Sequence, residues 1–243
     1  NTHYLGFNAN MLANEMYLDS ADVRKNIVSL AKMLGYTPTS PKSPIASIDV
    51  TLNNVTGSPA TVTAAKGTAF TTTVDGETYQ FVTNASEIMS PVNGVYKFSN
   101  LSLYEGTLVT FKYTVDSTDV DQRFIIPSVN ADTTTLNVTV QNSASDTTTN
   151  TYSLATGITS LSSTSKVYFL QEQEDGKFEV YFGDGVLGTS LSDGNIVILE
   201  YIVSNKTLAN GASSFSLSTN IGGFTDVSIS TVSAAQGGAE AQT

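Results

Sequence analysis

The chain has no cysteine, no tryptophan and a single histidine, His3, among 243 residues. Without cysteine there is no disulfide, no thiolate metal site and no cysteine nucleophile, and the redox compartment stays undetermined. One histidine in a terminal stretch supplies no base for a hydrolase triad, and the several His or Cys ligands of a zinc site are missing. Charge is scarce too: 14% of residues are charged, where about a quarter is usual. What charge there is leans acidic, with 11 Lys and Arg against 22 Asp and Glu for a net charge of −11. The basic residues are scattered and Arg24-Lys25 is their one adjacent pair, so the clustered cations that nucleic-acid phosphates require are absent. No apolar run nears the ~18 residues of a membrane span. Asn1-Thr2-His3-Tyr4 has neither the basic nor the apolar region of a signal peptide. The chain opens on Asn1 rather than Met, and the expectation is a piece of a longer protein.

What is present divides in texture. Residues 20–35 predict an amphipathic helix: Ser20 is placed to cap it, Asp22 suits the first turn, and Val23, Ile27, Leu30, Ala31 and Leu34 recur at spacings of three and four. Gly35 is a natural stop. Pro38, Pro41 and Pro44 then predict an extended linker. From Ile45 onward Val, Ile, Thr, Tyr and Phe alternate in short runs, the period-two pattern of half-buried strands. Strands are expected near 45–53, 60–65, 68–74, 78–83, 95–98, 107–115, 122–126 and 134–141. Asp75-Gly76 and Asn93-Gly94 supply the positive-φ pairs of two-residue hairpins. Asn142–Thr151 is almost free of apolar side chains and predicts an exposed loop. Runs at 166–173, 177–182 and 195–203 read as a three-stranded meander, followed by one more strand near 225–232. The fold class expected is mainly β (α+β), antiparallel sandwich-like domains after an N-terminal helix. The domains would be a helical segment and linker at 1–44, a first β domain at 45–127 and a second at 128–243.

Candidate chemistry is thin. Asp116, Asp119 and Asp121 could offer oxygens to a weak cation site, but the glycine and distal glutamate of a calcium loop are missing, and a solvated acidic turn is the stronger reading. Gly183-Asp184-Gly185-Val186-Leu187-Gly188 lacks the Lys-Ser/Thr pair of a phosphate loop. Its glycines permit turn dihedrals and Asp184 is placed to cap neighbouring amides. Paired acids of a glycosidase come together only in a fold, and no catalytic residue, cofactor site or metal site is assigned. The five Asn-x-Ser/Thr triplets suit a chain this rich in those residues.

The stretch Phe178-Glu179-Val180-Tyr181-Phe182-Gly183-Asp184-Gly185-Val186-Leu187-Gly188, followed by Asp193-Gly194-Asn195 and the run to Tyr201, resembles the signature of the baseplate J-like proteins of contractile-tailed phages. Lys66-Gly67-Thr68-Ala69-Phe70 with Asp75-Gly76 is similar to that family's upstream hairpin, and Ala235-Gln236-Gly237-Gly238 to its glycine stop. The helix with Leu34-Gly35-Tyr36-Thr37-Pro38 resembles the large wedge subunits of the group. The resemblance implies a non-enzymatic structural subunit of the virion tail baseplate, assembled in the host cytoplasm. Such a subunit contacts other wedge proteins, forms a homodimer within the wedge, links wedges into a ring and shares in the rearrangement that triggers sheath contraction. It further implies a structural turn at Phe182, Gly183, Asp184, Gly185 and Gly188, and a partner-contact helix face at Val23, Ile27, Leu30 and Leu34. No nucleic acid and no membrane is expected as a partner.

A surface adhesin or carbohydrate-binding β-sandwich would show much the same acidity, Thr content and short strands. The missing Trp counts against sugar stacking, but 11 Tyr remain.

Overall fold

The computed structural model describes residue 27 and residues 37–119, 121–157, 161–173 and 175–242. Their elements are all strands, in chain order β1 (Ile45–Leu52), β2 (Val62–Ala64), β3 (Ala69–Val74), β4 (Glu77–Val82), β5 (Glu87–Met89), β6 (Tyr96–Glu105), β7 (Thr107–Thr114) and β8 (Phe124–Ile125). There follow β9 (Ala131–Gln141), β10 (Thr149–Leu154), β11 (Val167–Glu172), β12 (Phe178–Phe182), β13 (Ile196–Val203), β14 (Ser216–Leu217) and β15 (Val227–Gln236). The mainly β expectation holds. The helix expected over 20–35 lies outside the described residues except for Ile27, which is helical and half-buried.

The strands form a six-stranded sheet, β14-β3-β4-β6-β1-β15, a seven-stranded sheet, β7-β13-β9-β10-β11-β12-β8, and the small pair β2-β5. Alternation places the cores. Ala46, Ile48, Val50 and Leu52 of β1 point to one face and meet Phe70, Phe81, Phe98, Leu101 and Leu103 in a first core, covered by β2, β5 and residues 209–221. Val138 and Val140 of β9, Val180 of β12 and Val197, Leu199 and Tyr201 of β13 build a second core with Phe124 and Ile126. All strand pairs are antiparallel except β10 with β11, which is parallel. The expected two-residue turn at Asp75-Gly76 forms, with φ +51° and +89°, as does Asn93-Gly94, with φ +52° and +77°.

Three expectations are corrected. The run 166–203 is no meander: β12 pairs with β11 and β8, while β13 sits between β7 and β9. β13 buries Val197, Leu199, Tyr201 and Ile202 and is paired along both edges, with β7 and β9. The exposed loop expected over 142–151 ends early, because Thr149–Leu154 is strand β10, paired to β9 through Thr149–Tyr152. The proline-rich segment is extended but is no free spacer: Pro38, Ser40, Pro41, Ser43 and Pro44 are buried. Ser43 N donates to Asp132 Oδ2 (2.8 Å), Ser40 and Thr133 share a hydroxyl hydrogen bond (2.8 Å), and Lys42 bridges to Ala239 in both directions.

Sheet membership crosses residue 128 both ways: β7 and β8 precede it yet join the second sheet, and β15 follows it yet joins the first. The chain passes between sheets at Glu105-Gly106. Gly106 has φ +120°, and a Cβ there would sit 2.2 Å from Val203 O, so only glycine fits. Glu105 is fully buried and accepts hydrogen bonds from Ser204 Oγ (2.9 Å), Asn205 N (2.8 Å) and Asn205 Nδ2 (2.7 Å), which satisfies a carboxylate that burial would otherwise penalise. A third small core of Ala69, Val82 and Ile202 and the Lys66–Glu200 ion pair (2.9 Å) tie the two sheets together.

Candidate functional site

The turn after β12 is built from its glycines outward. Phe182 anchors it, packing edge-on against Phe124 (5.6 Å) and Tyr152 (5.2 Å). Gly183 is required for space: a Cβ would lie 2.3 Å from Leu187 O. It has no positive φ, so the turn-dihedral role expected of it belongs instead to Gly185 (φ +88°) and Gly188 (φ +93°). Asp184 Oδ1 accepts from Val186 N (2.9 Å) and Leu187 N (3.0 Å). Hydrogen bonds from the Leu187 and Val186 amides hold the Asp184 carboxyl below the ordinary range. Gly185 N bonds Gly188 O (3.0 Å), and Gly188 N bonds Ser162 O (3.1 Å). The turn is thus closed on itself and presents Val186, 70% exposed, at its tip. It brings Phe182, Gly183, Asp184, Gly185 and Gly188 into one unit. β12 and β13 on its two sides do not pair.

Beside it lies a cleft of about 330 Å³ lined by Asp116, Asp119, Gln122, Phe182, Asp184 and Leu191. Asp116 caps its own turn, accepting from Thr118 N (2.9 Å) and Thr118 Oγ1 (2.6 Å); the Thr118 hydroxyl first and its amide second hold the carboxyl low. Among the described residues no three His, Cys, Asp or Glu side chains gather as a metal-holding group. Every carboxyl among them whose titration is displaced moves downward, at Asp49, Asp116, Asp146, Asp175, Asp184, Glu200 and Asp226. A glycosidase acid needs the opposite shift.

A second cleft, of about 460 Å³, runs between Thr37–Ser40, Thr133-Thr134, Leu154 and the β11 residues Phe169 to Gln171. Tyr181 is flanked by Phe169 from β11 (5.1 Å, 17° between planes) and by the Arg123 guanidinium next to β8 (4.3 Å from the ring centre), so its faces are engaged within the protein. Of the expected helix face, Val23, Leu30 and Leu34 lie outside the described residues and Ile27 is half-buried.

The sequence reading placed a strand near 225–232, and what it missed is that β15, whose ten residues carry no charge, lies at the edge of a sheet. It missed Glu105 as well, since nothing in Tyr104-Glu105-Gly106 marks a carboxylate as buried.

Comparison with known proteins gives two findings. The profile of the third domain of bacteriophage baseplate wedge protein gp6 matches residues 110–212, from within β7 to just past β13. Baseplate wedge protein gp6 of Enterobacteria phage T4 is 26% identical over 247 residues, covering 94% of this chain and 36% of that protein. The chain therefore spans about a third of the length of that relative.

Proposed function

We propose that the chain is a baseplate wedge subunit that joins neighbouring wedge proteins into a ring and takes part in the rearrangement preceding sheath contraction, a reading supported by its similarity to gp6. Its location is the tail baseplate of a phage virion and its role there is structural. Assembly would take place in the host cytoplasm, with the subunit paired as a homodimer and bound to other wedge proteins, and with neither nucleic acid nor membrane as a partner. The observation that carries the reading is the match to gp6 along 94% of the chain. The build supports it: two sheets locked by a buried carboxylate and a glycine crossing suit a part that moves as a block.

Light scattering on the chain alone and mixed with the neighbouring wedge proteins tests this. A defined co-complex, weakened by Ile27→Asp or Leu30→Asp, is expected. A monomer that ignores wedge proteins and binds glycans would replace this reading with the adhesin one.

A further inference from the structure

Of the two outer strands of the six-stranded sheet, β14 is two residues long. The other, β15, runs ten residues without charge or proline and pairs on one side only, with β1. Asn53 N donates to Asp226 O (2.9 Å), which sets the phase of that ladder. Residues 226, 228 and 230 turn their N–H and C=O groups toward β1, and Val227, Ile229 and Thr231 turn theirs away. Among the described residues nothing bonds these outward backbone groups. Farther along, the edge is closed: Gly211 N donates to Ala235 O (2.7 Å) and Ala235 N to Ala212 O (2.8 Å), whereas at Thr231 only the side chain is engaged, Oγ1 donating to Ser213 O (2.7 Å). The open stretch is Val227 to Thr231.

We propose that this stretch receives an extended segment of another protein of the baseplate, added to the sheet as an antiparallel or parallel strand with a Lys or Arg at the end that meets Asp226. The inference rests on the reading of the chain as a baseplate subunit and names a surface for it. Edges are ordinarily guarded by charge, proline or bulges, and Val227–Thr231 has none of the three, the nearest register shift lying beyond Thr231. Donors and acceptors repeat every second residue, the spacing of another strand. Val227 and Ile229 pack on the first core while Ser228 and Ser230 are exposed, so the added strand alternates apolar and polar residues in phase. Asp226 accepts from Asn53 Nδ2 (3.0 Å) and Asn54 Nδ2 (2.6 Å), and none of the ion pairs among the described residues involves it. Its negative charge is therefore available to an incoming cation. A second copy fits less well. Two-fold pairing about Ile229 sets Ala235 of one copy opposite Gly223 of the other, where residues 211–212 already hold the edge.

Residue-resolved hydrogen exchange on the isolated chain and on the protein within purified baseplates tests this. The amides of Val227, Ile229 and Thr231 are expected to exchange at least tenfold more slowly in the baseplate, with Ser228 and Ser230 slow in both states. Equal rates in the two states, or outward amides already slow in the isolated chain, overturn the proposal. Absence of the chain from purified baseplates overturns the functional reading first, so the two failures differ. Ile229→Pro deletes an outward N–H and leaves the β1 ladder bonded, but also loses packing on the first core, so Ile229→Ala, which loses packing and keeps the N–H, is the control; the Pro variant is expected to cut incorporation at least tenfold relative to the Ala variant, and equal incorporation of the two overturns the proposal. Asp226→Asn is expected to weaken incorporation a few-fold, and no change rejects the cationic end.

Discussion

The two large sheets finish differently. The second nearly closes on itself: its outer strands β7 and β8 meet where Tyr113 donates its hydroxyl to Ile125 O (2.6 Å) and packs against Phe124 (5.7 Å). The first ends on β15, whose outward amides at Val227, Ile229 and Thr231 are unpaired among the described residues. A curled sheet satisfies its own edges and gains a continuous core, while an open one keeps a row of donors and acceptors at the surface. On the proposal made for β15, the two sheets would have separate duties, stability at the seam and contact at the edge.

Substitutions at the seam should break that contrast most strongly. Phe124→Ala removes a buried ring that also touches Phe182 and should lower unfolding free energy by about 4 kcal/mol, read from denaturant midpoints; a loss below 1 kcal/mol would mean the seam carries little. Glu105→Ala leaves Ser204 and Asn205 without their acceptor and should cost about 3 kcal/mol, with both sheets losing protection together. Tyr113→Phe deletes only the seam hydrogen bond and should cost about 1 kcal/mol.

A pH profile sharpens the comparison at the junction. Burial pushes the Glu200 carboxyl up, but hydrogen bonds from Lys66 and Asn137 and the Lys66 charge outweigh it and hold the group below its ordinary value. The stabilisation is therefore complete above the ordinary glutamate range and fades as pH falls through the lowered folded-state value. Lys66→Met should flatten that acid limb of melting temperature against pH, and at neutral pH should cost no more than about 1 kcal/mol because the pair is partly solvated. Smallest of all, Ser230→Lys on the open edge should alter stability by less than about 0.5 kcal/mol. A large loss there would make β15 a structural strand rather than a contact.

Much of the strand pattern was legible from the residues. β1, β3, β4, β7 and β13 follow runs in which apolar side chains fall on every second position, and Asp75-Gly76 marked its turn because positive φ at both residues excludes most side chains. β6 reads as stopping at Phe98 because Ser99-Asn100 is polar. It continues to Glu105 because Asn100 takes φ +56° and its N–H is received by Asp49 Oδ1 (2.9 Å), a partner supplied by β1. β10 is Thr, Asn, Tyr, Ser and Leu, with Tyr152 alone fully inward, so backbone pairing on both sides rather than side-chain burial makes it a strand. Sheet membership was not legible, since β15 finds β1 across most of the chain and no local pattern encodes that pairing. In the turn after β12 the motif was visible, but the reason for Gly183 was not, because the carbonyl that excludes a Cβ is four residues away.

The pairing of Lys42 with Ala239, extended by Gln242 N donating to Thr39 O (3.0 Å), has a mechanical meaning. The segment before β1 and the segment after β15 therefore run side by side, joined by backbone hydrogen bonds. Tension between whatever lies before Thr39 and after Gln242 would fall on those few bonds one at a time, as in opening a zipper, and would not shear the cores.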